Sequence, residues 1–448
     1  MKRLACALAT LAVVLWAQGT ARASAAPGDG QNGGPGTTVV YPTGQHPADA
    51  DNVQAAVSAG GGVLLKATDA AGVFTPFNFG PAVAGSGTVF LNADVSVRGE
   101  TVAGRMTTIT GGDTPFRINQ PVESSFEGLN FEGPRMAAVY VRAAARFEFR
   151  RSRVARVVPF YWYTDGGVDM YKGQGLWVAV AGKSSGAVVI EENVFEDCGL
   201  GGAQLGYGLA LTTGDAPLRV ARNVIRGANF AGIILILPGA ETVIEENTIV
   251  TGPGDVTPRY GGNGIHLLGA WRRVQDAPIT FRKNEVSVEG PEAEGIRAFG
   301  DEVHNKKVQN LSIEENEINV TGGLVGIALW GEVIGARVRN NRLRGDARYG
   351  MLLGAGFYDP TEQSAGNQLT GNNIATFDAS VADVFFDTNT VDNVLKGHGG
   401  SVIDLGIGNV ITGARQGLPA HAEEQLRGAQ RSMQRRPDLS EPDRANCP

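Results

Sequence analysis

The chain has 448 residues, with 39 basic and 46 acidic side chains and a formal net charge of −7. That balance argues against a nucleic-acid partner, whose phosphates reward a basic surface. Sixty-three glycines and an aromatic content of only 7% fit many short strands joined by tight corners better than long helices.

Residues 1–26 read as a bacterial-type signal peptide. Lys2 and Arg3 supply a positive start, Leu4 to Ala17 form an apolar stretch, and Ala21, Ala23 and Ala25 offer cleavage sites. A membrane anchor would need about 20 apolar residues, and Gln18 to Thr20 interrupt the run. Cys6 lies at the start of this stretch, before its apolar core, a poor place for lipid attachment. The expectation is a secreted or periplasmic mature chain with 36 basic against 46 acidic residues and no membrane span. It keeps Cys198 and Cys447, which an oxidising compartment can join; the alternative is one buried and one terminal thiol.

A flexible linker is expected over 27–47. Next, Ala50 to Gly60 predict a short helix with Asp49 or Asp51 as N-cap and Val53, Ala56 and Val57 inward. Such a helix would shield the strand edges that follow.

The body of the chain repeats. An apolar pair followed by polar residues and Asn recurs as VVIEEN (Asn193), LRVARN (Asn223), TVIEEN (Asn247), ITFRKN (Asn284), LSIEEN (Asn316), ARVRNN (Asn341) and LTGNN (Asn373). The intervals are 30, 24, 37, 32, 25 and 32 residues. A second pattern accompanies the first: YGLALTT, AGIILIL, NGIHLLG, EGIRAFG, VGIALWG and YGMLLGA. Each unit therefore holds about three short β-runs. One unit cannot bury its apolar face alone, whereas stacked units share a core. An Asn at the same corner of every coil can hydrogen-bond to those above and below.

Read together, these elements resemble the right-handed parallel β-helix superfamily typified by pectate lyases, over roughly residues 85 to 413. The resemblance implies an all-β solenoid of roughly ten coils over 48–413, N-terminal cap included. A C-terminal segment over 414–448 follows, with Leu418, Ala422, Leu426, Ala429 and Met433 on one face of an amphipathic helix and a disordered end. For function the resemblance is broad, since the superfamily includes lyases, hydrolases, epimerases, phage tailspikes and adhesins.

Two regions are candidates for chemistry. The longest interruption of the repeat, Pro159 to Trp177, concentrates Phe160, Tyr161, Trp162, Tyr163, Tyr171 and Trp177 with Asp165, Asp169 and Lys172. Upstream lie Arg142, Arg146, Arg150, Arg151, Arg153 and Arg156. Aromatic faces suit sugar rings and carboxylates suit acid–base work. Arg151, Arg153, Tyr161, Trp162, Tyr163, Tyr171 and Trp177 are therefore the expected binders of an anionic polysaccharide. Asp165, Asp169 and Lys172 are candidates for catalysis. The alternative is that the aromatics pack the loop down and the arginines pair with neighbouring acids.

The second region comes from register. If Ile of each G-I-x-L strand points inward, then Ala210, Ile234, His266, Arg297, Ala328, Leu352 and Phe385 form one outward column. His266 and Arg297 would be neighbours, a base beside a cation, overhung by Gly252–Asn263 with Asp255, Arg259 and Tyr260. A second column, Thr212, Ile236, Leu268, Phe299, Trp330, Gly354 and Asp387, would leave the face too apolar to stay wet. The tail, a loop, a ligand or another chain would have to cover it, so oligomerisation through this face is one expectation.

The EEN triplets would stack Glu191, Glu245 and Glu314 at a solvated acidic corner. No cofactor is evident, and calcium is the metal such carboxylates would take. GHGG at 397–400 does not extend to a polygalacturonase-like set. The leading expectation is a secreted protein that binds, and can cleave or epimerise, an anionic polysaccharide. The competing one is a non-catalytic surface or structural β-helix making protein contacts.

Overall fold

Short runs such as Ile279–Arg282 (ITFR) and Leu311–Glu314 (LSIE) alternate apolar with polar residues, and each buries its apolar members. The runs pair in parallel, one turn of chain apart, so that Ile279 lies beside Leu311 and Phe281 beside Ile313. The structure is a computed structural model and describes residues 36–165, 168–183, 186–199, 205–252, 262–269, 277–300, 307–354 and 362–416. Among these, one parallel sheet of fourteen strands runs from Thr37–Val40 to Val410–Thr412. Two more parallel ladders complete each turn. One passes through Val194–Cys198, Val224–Ala228 and Thr248–Thr251. The other passes through Leu205–Gly214, Ala231–Pro238 and Asn263–Leu268. Their inward residues form one continuous core from Val40 to Val402, so the chain is an all-β parallel solenoid.

The ends differ from the expected boundaries. Thr37–Val40 is the first strand and pairs with Gly61–Leu65, within the stretch assigned to a linker; its TTVV sequence is β-branched and strand-forming. The last strand among the described residues, Arg415–Gln416, pairs with Ser401–Asp404 past residue 413. The signal segment and residues 417–448, Cys447 included, lie outside the described residues. The helix Ala48–Ser58 buries Val53, Ala56 and Val57 as its spacing predicts. Neither Asp49 nor Asp51 is its N-cap, since the helix starts after Pro47. Asp49 is instead fully buried and accepts from Thr43 N and Oγ1 and from Asn78 N, tying the helix to the first coil.

At one corner the asparagines stack. Asn193, Asn223, Asn247, Asn284, Asn316 and Asn341 each donate from Nδ2 to the next Oδ1 at 2.9 Å. The backbone N–H of each donates to that same oxygen. The seventh member is Asn372 rather than Asn373. A residue with positive φ precedes every ladder position: Glu192, Arg222, Glu246, Lys283, Glu315, Asn340 and then Gly371. That left-handed residue turns the corner, and the next residue enters the ladder. Asn373 falls one place late and is exposed, and its side chain accepts locally from Ala375 N. A second, unanticipated ladder joins Asn367, Asn393 and Asn409.

Beside the first ladder, the supposed acidic column alternates in sign. Register places Arg98, Glu127, Arg150, Glu191, Ala221, Glu245, Arg282, Glu314 and Arg339 in one line. Arg219 fills the gap at Ala221, reaching Glu191 at 2.7 Å and Glu245 at 2.9 Å. Arg282 meets Glu245 at 2.6 Å and Arg339 meets Glu314 at 2.7 Å. Burial pushes the Glu245 carboxyl up, but the hydrogen bonds from Arg282 and Arg219 outweigh it and hold the group below its ordinary value. This is a salt-bridge column, and among the described residues no group of three or more metal-type side chains stands together.

Candidate functional site

The outward column has the expected membership. Register runs Ala210, Ile234, His266, Arg297, Ala328, Leu352 and Phe385. It also extends the other way, through Trp177 and Tyr140 to Arg117. The two candidate regions therefore share one strand face: Trp177 stands three coil steps from His266, roughly 14 Å at coil spacing.

The face is buried, not exposed. His266 is 3% exposed, Arg297 8%, and Trp330 2%. Phe299, Trp330, Tyr349, Leu352 and Phe385 form one outer apolar cluster. Trp177, Tyr207, Phe230 and Ile234 form another, with Phe160 and Met170 from the interruption. The apolar surface that sequence alone left uncovered is thus packed within the chain. Asp255, Arg259 and Tyr260 lie outside the described residues.

The interruption is an antiparallel hairpin of Phe160–Asp165 and Val168–Ala179. One face turns down onto the coils. Trp162 and Trp177 meet edge to face at 6.1 Å, and Trp177 stacks on Tyr140 at 4.4 Å. Lys172 is buried here, its Nζ 4.4 Å from the Trp162 ring, 4.9 Å from Trp177 and 5.5 Å from Tyr207. A cation so enclosed by rings fastens the hairpin to the body. Tyr161 and Tyr171 turn outward, ring to ring at 6.2 Å, and both are exposed. In the hairpin Asp165 pairs with Val168 and Asp169 with Thr164, but the side chains of both aspartates, like that of Tyr163, lie outside the described residues.

His266 and Arg297 are register partners. A third group, missed in the sequence, joins them. Glu294 is fully buried and its Oε2 lies 3.4 Å from Arg297 Nε. Burial pushes its carboxyl up, against the pull of Arg297 and a hydrogen bond from Trp330. Glu294 lies on the Arg297 side of its strand, and the next residue, Gly295, has no room for a side chain. A methyl there would overlap the carbonyl oxygen of Gly326 and the side chain of Ile318. Strict alternation would have pointed Glu294 inward; the signal was the glycine shared by each strand of this set. Arg297 and Glu294 form a buried ion pair with His266 beside it in register, and all three side chains are shut away from solvent.

The arginines before the hairpin fan out to several faces and pair with acids. Arg151 pairs with Glu127, Arg146 and Arg150 with Glu148, and Arg156 with Glu132. Arg153 reaches Glu132 at 3.0 Å, Glu196 at 2.7 Å and Asn130 at 3.0 Å. It also lines an open groove of about 510 Å³. The groove floor is the outward face of Arg105–Thr110, Leu129–Glu132 and Arg153–Val157, where Thr108, Asn130 and Arg153 are aligned. Its wall is the loop with Phe74, over whose ring the Arg105 guanidinium lies at 4.9 Å. Of the expected binding residues whose side chains are described, Arg153 alone belongs to this groove. Phe74, Arg105 and Asn130 were not anticipated, because they come from coils where the repeat is weak. Cys198 is buried inside the coil, and burial raises its thiol well above the ordinary value.

Residues 82–249 match the family model for a right-handed beta helix region. No curated protein matches the chain. Among solved structures it is similar to the Dettilon tailspike protein, at 14% identity over 79% of this chain and 70% of that one, TM-score 0.44. It is also similar to the A-module of the mannuronan C-5 epimerase AlgE4 of Azotobacter vinelandii, at 14% identity, 81% and 96% coverage and TM-score 0.44. A third is PfbA, a surface adhesin of Streptococcus pneumoniae, at 12% identity, 79% and 93% coverage and TM-score 0.42.

Proposed function

We propose that this chain, a right-handed β-helix protein with the winding of the pectate-lyase-like superfamily, binds an anionic polysaccharide in the Phe74–Arg105–Arg153 groove. The observation that carries the reading is that groove: two guanidiniums, an amide, threonine hydroxyls and one aromatic ring around an open trough. Guanidinium forks suit carboxylate or sulfate groups, and the ring supplies an apolar face for a pyranose. Glu132 and Glu196, both ion-paired to Arg153, are the carboxylates beside it that cleavage or epimerisation would draw upon. Lys172, His266 and Arg297 are buried, and this reading gives them no part in that chemistry. Secretion behind the signal-like segment 1–26 would bring the groove to its substrate. No helix among the described residues is long and apolar enough to cross a membrane.

The test is titration calorimetry with alginate, polygalacturonate and neutral dextran, followed by incubation with and without calcium. Binding to the acidic polymers but not dextran is expected, weakened at least tenfold in Arg105→Ala, whose cation is the less committed to protein acids. Equal affinity of that variant, or of dextran, would sink the reading. Unsaturated product would identify a lyase, and new reducing ends without unsaturation a hydrolase.

A further inference from the structure

The two ends of the solenoid are finished differently. At the first end the helix Ala48–Ser58 lies over the stack and its Val53 and Val57 are fully buried. At the other end the fourteen-stranded sheet stops at Val410–Thr412, which has a neighbour on one side only among the described residues. Ile407 is 70% exposed there and Val410 51%, while Ile411 and Ala414 pack only partly on the core. An apolar edge strand with unpaired backbone groups is a template for aggregation unless something covers it.

The chain itself departs from this edge. Arg415–Gln416, the last described strand, pairs with Ser401–Asp404 in the final coil, and 32 residues follow it, 417–448. Leu418, Ala422, Leu426, Ala429 and Met433 are spaced at three and four, the interval of one helical face. Pro419 stands where a first helical turn accepts it, and Pro437 where a helix would stop. Glu423 and Glu424 precede Arg431, Arg435 and Arg436, the charge order a helix dipole favours.

We propose that residues 418–436 are the cover of this end, laying their apolar face over Ile407, Val410 and Ile411. The segment is thus assigned to the open edge of the last coil and not to the outer strand face, which is already packed. About five turns of helix would close this end as the shorter Ala48–Ser58 helix closes the first.

Hydrogen exchange of the full chain, read on peptides across 394–416, tests the assignment. In Leu418→Asp/Leu426→Asp the amides of Val394–Lys396 and Val410–Thr412 should exchange at least tenfold faster, with peptides from the middle coils unchanged. Adding a synthetic peptide of residues 417–436 to a chain ending at Gln416 should restore the slow exchange. Unchanged exchange in the double variant overturns the proposal. So does a full-length dimer, by light scattering, that Ile407→Asp dissociates and the tail substitutions leave intact, since a second copy would then occupy the edge.

Discussion

The side chain of a single ladder asparagine carries four hydrogen bonds. Asn247 accepts from Asn223 N and Nδ2 and donates to Val220 O and to Asn284 Oδ1, all inside the wall of the solenoid. Asn247→Ala leaves those buried partners unmatched, so an equilibrium denaturant titration should show a loss of about 3 kcal/mol. Asn373→Ala, one residue outside the ladder, should cost little. Sequence alone could place the ladder to within one residue, because LTGNN offers two asparagines and only the positive-φ glycine decides between them. A second residue reports on pH. His398 is 1% exposed, and burial lowers its pKa to about 4, against the opposing pull of Asp383. The unfolded chain therefore takes up a proton near pH 6.5 that the folded chain refuses until about pH 4. Stability contributed by this site is complete above that window and falls by about 3 kcal/mol as pH drops through it. The loss should be absent from His398→Gln, measured as the difference between the two chains at pH 7 and pH 4.5.

At the scale of strands, register was legible and covering was not. The G-I-x-L pattern put His266 opposite Arg297, and the pairing agrees. That pattern says nothing of what lies over a face, because covering comes from loops and hairpins outside the repeat. The hairpin shows why: its aromatics alternate, so Phe160 and Trp162 go down and Tyr161 goes up. Composition sees one aromatic cluster where the fold makes an anchor and an exposed pair. The charged column was misread for a similar reason. The triplet EEN is visible in one strand, whereas the arginine that answers each glutamate arrives from a neighbouring strand, 25 to 37 residues away. Arg282→Glu would set three like charges in succession along Glu245 and Glu314. It should lower stability by roughly 2 kcal/mol at low ionic strength. Part of that should return in 1 M salt, where screening acts within about 3 Å.

For the whole molecule, one strand per ladder per turn gives a stack in which every wall repeats at coil spacing. The groove near the first coils is the exception that carries the proposed function: the Phe74 loop and the Arg105 turn rise beside an otherwise regular floor. The asparagine ladder has a bearing on the stack as a unit. From Asn193 to Asn341 each side-chain amide sends one N–H to the asparagine of the later coil and the other to a carbonyl of the earlier coil, while each oxygen from Asn223 to Asn372 accepts from the asparagine before it. A peptide-like amide carries a dipole of about 3.5 D, and seven aligned along one edge add rather than cancel. The solenoid is therefore electrically polar along its axis through its side chains alone, negative toward Asn193 and positive toward Asn372. Each bond in such a chain polarises the next, so that the coils from Asn193 to Asn372 are joined electrically through a file of asparagines.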